Sequence, residues 1–186
     1  MKRLVGDLLL LARADSGRLT ARQATDVAAV AQEAAVELEP LAVDHALSLS
    51  LSPAWVQGSR DELHRLLANL IENGIRHTPP GTEVRATVRQ RDGEVRIVVE
   101  DDGPGIAPEA REQIFERFVR GRRERAGSSG LGLAIVRAVA ESHGGSVALQ
   151  RSKRSTGARF MVRLPAADPA PVVEAEPVSA GEAGAA

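Results

Sequence analysis

The chain has no cysteine among its 186 residues. This absence excludes disulfide bonds, thiol catalysis and cysteine-bound zinc, and it fits a reducing compartment. Aromatic residues make up only 2% of the sequence, which argues against the stacking platforms that bind single-stranded nucleic acid. The formal net charge is −1, so the overall charge gives no reason to expect a nucleic-acid partner. We therefore expect one globular core and no nucleic-acid function.

The N-terminal residues lack the long apolar run that a membrane-spanning helix requires. Asp7 interrupts the run, and the uninterrupted part covers only residues 8–12, far short of the about 20 residues of a span. Two basic residues before a short apolar stretch would also suit a secretory signal, but the acid at position 7 disfavours it. We favour an amphipathic helix over residues 4–19, ended by Gly17, whose apolar face needs a partner helix.

Alternation of apolar and polar residues predicts the strands. Segment 47–51 alternates with one buried face, and 83–91 alternates as well. Segment 95–99 is predicted as a more buried partner strand, and 146–150 and 158–164 as a second pair of strands. Asp92-Gly93 is a strong hairpin signal between two of them. Trp55 and Val56 suggest a further short strand, with Trp55 packed in the core. Asp26 is a good N-cap for a helix that ends near Pro40.

Together these elements predict an α+β fold. We expect a two-layer α/β sandwich with a mixed, mainly antiparallel sheet and helices on one face. The last residues, 166–186, are rich in proline, alanine and acids and have no apolar periodicity. We expect this tail to be disordered.

Residues 61–80 predict the helix that matters most for function. Leucines and isoleucines recur at helical spacing along it, and Pro79 and Pro80 stop it near His77. Asn69 and Asn73 lie four residues apart and share a stripe with His77 at the edge of the apolar face. This polar row either faces a ligand at the rim of the core or consists of exposed, locally bonded asparagines.

Two glycine-rich segments follow this helix in the chain. Residues 101–106 read Asp-Asp-Gly-Pro-Gly-Ile after a buried strand, which offers a carboxylate and room for a flat ligand near the backbone. Residues 127–132 read Gly-Ser-Ser-Gly-Leu-Gly and open a helix over 133–142, where free N–H groups suit phosphate. Taken alone, each segment could equally be a plain glycine turn or loop. Neither fits the P-loop or the Rossmann fingerprint.

The order of these motifs is more specific than any one of them. Asn-x-x-x-Asn-x-x-Arg-His-Thr is followed by Asp-x-Gly-x-Gly-Ile, Ile-Phe-Glu-Arg-Phe, Gly-Ser-Ser-Gly-Leu-Gly-Leu-Ala-Ile-Val and His-Gly-Gly. This series resembles the ATP-binding catalytic domain of bacterial sensor histidine kinases. Its N, G1, F and G2 boxes match residues 69–78, 101–106, 114–118 and 127–136. Residues 1–19 resemble the end of the second helix of that family's dimerisation and phosphoacceptor domain.

The resemblance implies a Bergerat-type sandwich that binds ATP and Mg²⁺ under a mobile lid at about residues 107–129. By position, Asn73 would ligate Mg²⁺ through its amide oxygen, and Asn69 would support that site. Arg76 and His77 would reach phosphate or ribose. In the lid, Arg120 best matches the family's contact to the γ-phosphate. The resemblance thus implies catalytic roles for Asn69, Asn73 and Arg120.

The resemblance also implies the other nucleotide contacts. Asp101 would accept the adenine amino hydrogen, and two aromatic residues, Phe115 and Phe118, would anchor the base of the lid. The remaining implied ATP-binding residues are Gly103, Gly105, Ile106, Gly130, Leu131 and Gly132.

One departure from the family concerns the acceptor. None of the four histidines, His45, His64, His77 and His143, stands in the family's phosphoacceptor motif. We therefore expect residues 1–22 to be the end of a dimerisation helix with its linker, and residues 23–165 to be a catalytic domain that phosphorylates a histidine outside this chain. The implied partners are a histidine-bearing dimerisation domain, in the same full-length protein or a partner chain, and indirectly a response regulator. We expect a cytoplasmic location, with membrane attachment only through upstream segments.

Three rival functions stay open at this point. An ATPase of the gyrase and mismatch-repair type places a glutamate base four residues before the metal-binding asparagine, where this chain has Asn69. Glu72 is adjacent to Asn73 and is expected to point elsewhere on the helix. The others are a non-catalytic ATP-binding regulator and a serine kinase of the anti-sigma-factor type, which the N-terminal helix disfavours.

Overall fold

The computed structural model describes residues 2–16, 21–119, 129–152 and 156–169. The α-helices in these residues are α1 (Lys2–Asp15), α2 (Val27–Leu38), α3 (Arg60–Arg76) and α4 (Gly132–Ser142). The strands are β1 (Gln23–Asp26), β2 (Ala46–Leu51), β3 (Trp55–Gly58), β4 (Glu83–Arg91), β5 (Glu94–Asp101), β6 (Ser146–Arg151) and β7 (Ala158–Pro165). Two short 3-10 helices, Glu39–Leu41 and Pro108–Ala110, complete the elements of this part of the chain.

Five strands form one sheet in the order β2-β4-β5-β7-β6. The β2–β4 pair is parallel and the other three pairs are antiparallel, which confirms the mixed, mainly antiparallel sheet. Every second residue from Val84 to Val88 on β4 and from Val95 to Asp101 on β5 is buried, and α2, α3 and α4 pack against the sheet. The α+β sandwich is therefore confirmed. None of the helices in the described part of the chain is long and apolar enough to cross a membrane.

The β4–β5 hairpin turns as the sequence predicts. Asp92 and Gly93 both have positive φ, at 54° and 76°, as expected for the tight turn that matches strand twist. The register pairs Val84 with Asp101 at the far end of the hairpin. Asp101 is thereby fixed at the end of a buried strand.

Helix α3 begins and ends close to its predicted limits. The Ser59 side chain accepts a hydrogen bond from the Glu62 N–H at the N-terminus, and His77 is the C-cap residue. Gly74 lies against the sheet, where an added Cβ would be 2.9 Å from Val84 Cγ1. The helix can lie this close to β4 only because position 74 has no side chain.

Helix α2 also starts as expected. The Asp26 carboxylate accepts from the N–H groups of Ala28 at 3.0 Å and Ala54 at 3.2 Å, so it is an N-cap that also holds a loop. The α-helix ends at Leu38, and Pro40 lies in the 3-10 helix that follows it.

The prediction that Trp55 lies in the core is wrong. Its strand, β3, pairs with β1 in a separate two-stranded sheet, and the alternation along β3 turns Val56 inward and leaves Trp55 half-exposed. The prediction of one inward face for residues 47–51 is confirmed, because Leu47, Leu49 and Leu51 pack against the core. This face is only partly buried, because β2 is an edge strand with only β4 beside it.

The C-terminal end of the described chain differs from expectation, whereas the predicted end of the N-terminal helix falls just outside the described residues. Helix α1 ends at Asp15, and the predicted helix end at Gly17 lies outside the described residues. Residues 166–186 were expected to be disordered from their start, but the N–H groups of Ala166 and Ala167 bond the carbonyls of Gly93 and Trp55. Residues 170–186 lie outside the described part of the chain.

His143, the C-cap residue of α4, joins the ends of two helices. Its Nδ1 donates to the Val139 carbonyl at 2.8 Å, and its Nε2 accepts from the Ser59 N–H at 3.2 Å. Ser59 is the N-cap of α3. Both hydrogen bonds require only the neutral form of the imidazole ring. Burial favours this form, because it lowers the pKa of His143 below its usual value.

This arrangement predicts a pH-dependent stability. Between an unfolded pKa of about 6.5 and the lower folded value, the unfolded chain binds a proton that the folded chain refuses, so the free energy of unfolding falls with falling pH. Urea denaturation at several pH values between 7.5 and 5.5 measures this slope. His143→Gln should flatten it. An unchanged slope in His143→Gln would contradict the assignment.

Candidate nucleotide-binding site

A cavity of about 290 Å³ lies between α3, α1 and the segment that leads into α4. We call it the α3–α4 cavity. Its lining residues are Leu4, Asp7, Asn69, Glu72, Asn73, Arg76, His77, Ile114, Val119, Ser129, Gly130, Gly132 and Leu133. Six of the residues singled out in the sequence thus meet here: Asn69, Asn73, Arg76, His77, Gly130 and Gly132. Nothing in the sequence indicated that Leu4 and Asp7 of α1 would also line this cavity.

Asn69 is the buried member of the polar row that it forms with Asn73 and His77 on α3. It is 8% exposed, and its Nδ2 has no hydrogen-bond partner among the described residues. An added Cβ on Gly132 would be 3.3 Å from its Oδ1, so α4 starts in close contact with this amide. A buried polar atom without a partner is costly, and a bound ligand would remove that cost. An exposed asparagine is therefore not the explanation at position 69.

Glu72 lines the same cavity and is buried, so the expectation that it points elsewhere is wrong. The Arg76 Nε donates to its Oε1 at 2.6 Å, one turn along the helix. The position four residues on from Glu72 explains this ion pair. Arg76 is thereby held at the cavity with its charge partly balanced.

Asp101 lies outside the α3–α4 cavity lining, at the end of β5. It is 7% exposed, and its Oδ1 accepts from the N–H groups of Gly103 at 3.0 Å and Ala158 at 3.2 Å. Burial raises the pKa of this carboxyl above its usual value, although these two hydrogen bonds act in the opposite direction. The result is a carboxylate in a dry, defined position.

Sequence reasoning missed the residues on the far side of Asp101. Thr156 donates to the Gly103 carbonyl at 3.1 Å, and an added Cβ on Gly157 would be 1.8 Å from the Asp101 carbonyl oxygen. Gly105, with φ of 75°, passes so close that a Cβ there would be 2.3 Å from the Thr156 carbonyl oxygen. A glycine just before the last strand was the available signal. With Ile106, the segment 156–158 also lines a second cavity of about 230 Å³ beside β6.

Thr78 connects the asparagine helix to the glycine turn. Its hydroxyl donates to the Gly74 carbonyl at 2.6 Å and lies 3.1 Å from His45 Nε2. Its methyl group would be 2.8 Å from a Cβ on Gly103. The end of α3 and the turn after β5 therefore hold a fixed relative position.

The two phenylalanines of the lid base behave differently. Phe115 packs edge-to-face on Phe160 of β7, with ring centroids 6.2 Å apart. The side chain of Phe118 is 65% exposed, which contradicts a packing role. Its backbone, with φ of 63°, donates instead to the Gly130 carbonyl at 2.9 Å. Arg120 and the rest of the predicted lid, up to residue 128, lie outside the described residues.

The α3–α4 cavity fits a Mg²⁺ ion by the chemistry of its donors. Asn69, Glu72 and Asn73 bring amide and carboxylate oxygens to it, and Mg²⁺ takes such oxygens together with phosphate and water. Within the described ranges, no group of three or more acids and histidines could hold a metal without further ligands.

Comparison with known proteins agrees with this geometry. Residues 58–168, more than half of the chain, match the family of histidine kinase-, DNA gyrase B- and HSP90-like ATPases. The probable sensor histidine kinase TcrY of Mycobacterium tuberculosis is 43% identical over 168 residues, which cover 88% of this chain and 35% of TcrY. The sensor-like histidine kinase SenX3 of Mycolicibacterium smegmatis is 36% identical over 169 residues, 87% of this chain and 44% of SenX3. The chain thus spans between about a third and a half of the length of these curated relatives.

Comparison with solved structures indicates the same family. The mycobacterial sensor histidine kinase MprB superposes with a TM-score of 0.71 and 30% identity, over 77% of this chain and 98% of that structure. Full-length ShkA in complex with AMPPNP gives a TM-score of 0.73 and 28% identity, over 89% of this chain and 35% of ShkA. The chain belongs to the histidine kinase-, DNA gyrase B- and HSP90-like ATPases, as the ATP-binding catalytic domain of a sensor histidine kinase.

Proposed function

We propose that this domain transfers the γ-phosphoryl group of ATP to a histidine located outside the chain, as a step in two-component signal transduction. The α3–α4 cavity supports this most strongly. Two amides and an arginine of α3 line it opposite the glycines that begin α4. The free N–H groups and the positive dipole end of a helix N-terminus favour polyphosphate. Phosphoryl transfer needs such positioning and charge neutralisation more than covalent chemistry by the protein.

The side chains of α3 would have different roles in binding the metal and the phosphates. Asn73 would ligate Mg²⁺ through its amide oxygen, with Asn69 as its support, while Arg76 and His77 would contact phosphate or ribose. A bound Mg²⁺ supplies neutralisation of the charge on the phosphate oxygens. Arg120, from the lid, would stabilise the γ-phosphate.

The adenine would lie beside Asp101. Its carboxylate is held by two N–H groups and would accept the amino hydrogen of the base. Gly103, Gly105 and Ile106 would lie against the ring. The backbone at Gly130, Leu131 and Gly132 would pass close to the phosphates.

This proposal assigns a role to each part of the chain. Residues 1–22 would be the end of a dimerisation helix with its linker, residues 23–165 the catalytic domain, and residues 166–186 a tail. The direct partner would be a dimerisation domain that carries the acceptor histidine, in the same full-length protein or in another chain. A response regulator would take the phosphoryl group from that histidine in the cytoplasm.

One observation favours an alternative, an ATPase on the same fold. Glu72 is a carboxylate in the α3–α4 cavity, where a general base for water attack would be needed. Its Oε1 already accepts a hydrogen bond from Arg76 Nε at 2.6 Å, so this oxygen is engaged by the guanidinium. Asn69 cannot act as a base at all. We therefore expect ATP hydrolysis to be slow.

Incubation with γ-labelled ATP separates these functions. The chain alone should bind ATP without acquiring acid-labile label, because its four histidines do not stand in an acceptor motif. A separate dimerisation domain with an acceptor histidine, added in trans, should become labelled at a rate limited by weak encounter.

The control is Asn73→Ala, which should abolish labelling of the added domain. Acid-labile label on this chain alone would show that it carries an acceptor. Fast release of inorganic phosphate without any acceptor would instead support the ATPase, and Glu72→Gln should then stop that release.

A further inference from the structure

Helix α1 forms part of the wall of the α3–α4 cavity. Leu4 and Asp7 line it together with Asn69 and Asn73. Both lie outside residues 58–168, the part of the chain that matches the ATPase family. The cavity as it stands therefore includes a segment that is not part of the family's shared domain.

Asp7 anchors α1 to the asparagine helix. It is only 5% exposed, and its Oδ1 accepts from Arg65 Nε at 2.9 Å and also from Arg65 Nη2. Arg65 lies four residues before Asn69, and Asn73 follows four residues later. These three side chains therefore follow one stripe of α3. The anchor of α1 thus lies one turn from the proposed phosphate site.

The rest of the attachment is narrow. Leu11, one turn after Asp7, is 2% exposed and joins the core, and α1 packs chiefly on α4. Val5 and Leu9, on the other side of α1, are exposed. Among the described side chains, the buried Leu11, the partly buried Leu10 and one ion pair hold the helix, so few contacts are lost when α1 leaves.

Charge sets the direction of the coupling. A triphosphate in the cavity would bring negative charge close to the Asp7 carboxylate, which opposes its binding. The same carboxylate neutralises Arg65, whose positive charge would otherwise favour the phosphates. With α1 docked, the cavity has a volume of about 290 Å³, just below the roughly 300–1,000 Å³ of usual ligand sites.

We propose that docking of α1 through the Asp7–Arg65 ion pair and binding of nucleotide oppose each other. This rests on the proposed ATP site. By linkage, a nucleotide must weaken docking by the same factor by which docking weakens nucleotide binding. A force that pulls α1 away from α3 would then raise the affinity for ATP.

Calorimetry with a non-hydrolysable ATP analogue and Mg²⁺ tests the affinity. Asp7→Asn should bind the analogue about fivefold more tightly than wild type, at the lower end of usual coupling energies. Asp92→Asn removes the same charge in the exposed β4–β5 turn, far from the cavity, and should bind as wild type does. The double variant with Asp7→Arg and Arg65→Asp keeps the ion pair with its two charges exchanged. It therefore tests whether the ion pair or the charge at position 7 sets the affinity. The Asp7→Arg single variant should bind tighter than the exchanged pair.

A distance measurement tests docking directly. The chain has no cysteine, so spin labels can be placed at Val5→Cys on α1 and Val36→Cys on α2, both exposed sites. Adding the analogue to the otherwise wild-type chain should lengthen and broaden the distribution of distances between the two labels, and Asp7→Asn should show the same change without nucleotide. This arm carries the test if Asp7→Asn fails to fold.

The outcomes distinguish the two proposals. Wild-type binding of the analogue, with equal affinity in Asp7→Asn or an unmoved α1, would overturn the coupling and leave the ATP site standing. Tighter binding by wild type than by Asp7→Asn would also overturn it. A wild-type chain that binds no nucleotide would overturn both.

Discussion

Asn73→Ala should abolish the dependence of ATP affinity on Mg²⁺ while leaving the fold intact. Asn73 lines the α3–α4 cavity and is half-buried, so its truncation leaves no large void in the core. Loss of one polar contact to a charged group costs about 1.5–3 kcal/mol, which corresponds to a factor of roughly 10 to 150 in Kd. In the metal's absence, wild type and variant should bind ATP with similar affinity.

Calorimetry with and without Mg²⁺ measures this difference. Gln57→Ala, an amide lost from an exposed position on β3, is the matched control and should bind ATP as wild type does. Asn69→Ala should weaken binding under both conditions, because Asn69 is buried against the start of α4. If the affinity of Asn73→Ala still rises with Mg²⁺ as in wild type, the metal-binding role is wrong.

The local rules of the sequence predicted α3 and the hairpin well. Two prolines after His77 and the stripe of apolar residues set the limits and the buried face of α3, and Asp92-Gly93 set the turn. These signals depend only on neighbouring residues, so they could be read without knowledge of the rest of the fold. The four positions Asn69, Asn73, Gly130 and Gly132 also came together as the motif order implied.

The failures concern contacts between residues distant in the chain. Trp55 was predicted to lie in the core, but the pairing of β3 with β1 turns it outward. Gly157 approaches Asp101 only because β7 pairs with β5 in a particular register. The Asp7–Arg65 pair spans 58 residues. No local pattern encodes these three contacts, since each depends on how separate elements pack.

Asp101→Asn should reduce ATP affinity and remove the preference for ATP over GTP. GTP places a carbonyl where ATP offers an amino group, so the buried carboxylate would face an acceptor. An unsatisfied buried group costs about 1–3 kcal/mol, more when charged, which is a discrimination of roughly 5- to 150-fold. An asparagine can turn its amide to donate to the guanine carbonyl, so the variant should accept GTP.

The fold should survive this change. An asparagine oxygen can keep both hydrogen bonds, from Gly103 and Ala158. Because the pKa of Asp101 is raised in the folded protein, its ionised form lowers stability as pH rises above the unfolded value of about 3.9. Removing the charge should therefore leave the free energy of unfolding at pH 7 unchanged or increase it. Weaker nucleotide binding cannot then be attributed to unfolding.

Competition of GTP and ATP against a labelled ATP analogue provides the measurement. Asp102→Asn is the matched control, because Asp102 is the adjacent acid, is exposed, and bonds the Glu83 N–H away from the base. It should keep the wild-type preference. Lowering the pH towards the raised pKa of Asp101 should also weaken the preference of wild type, because a protonated carboxyl can donate to the guanine carbonyl. GTP that competes as strongly as ATP against wild type at pH 7 would refute the assignment of Asp101 to the adenine.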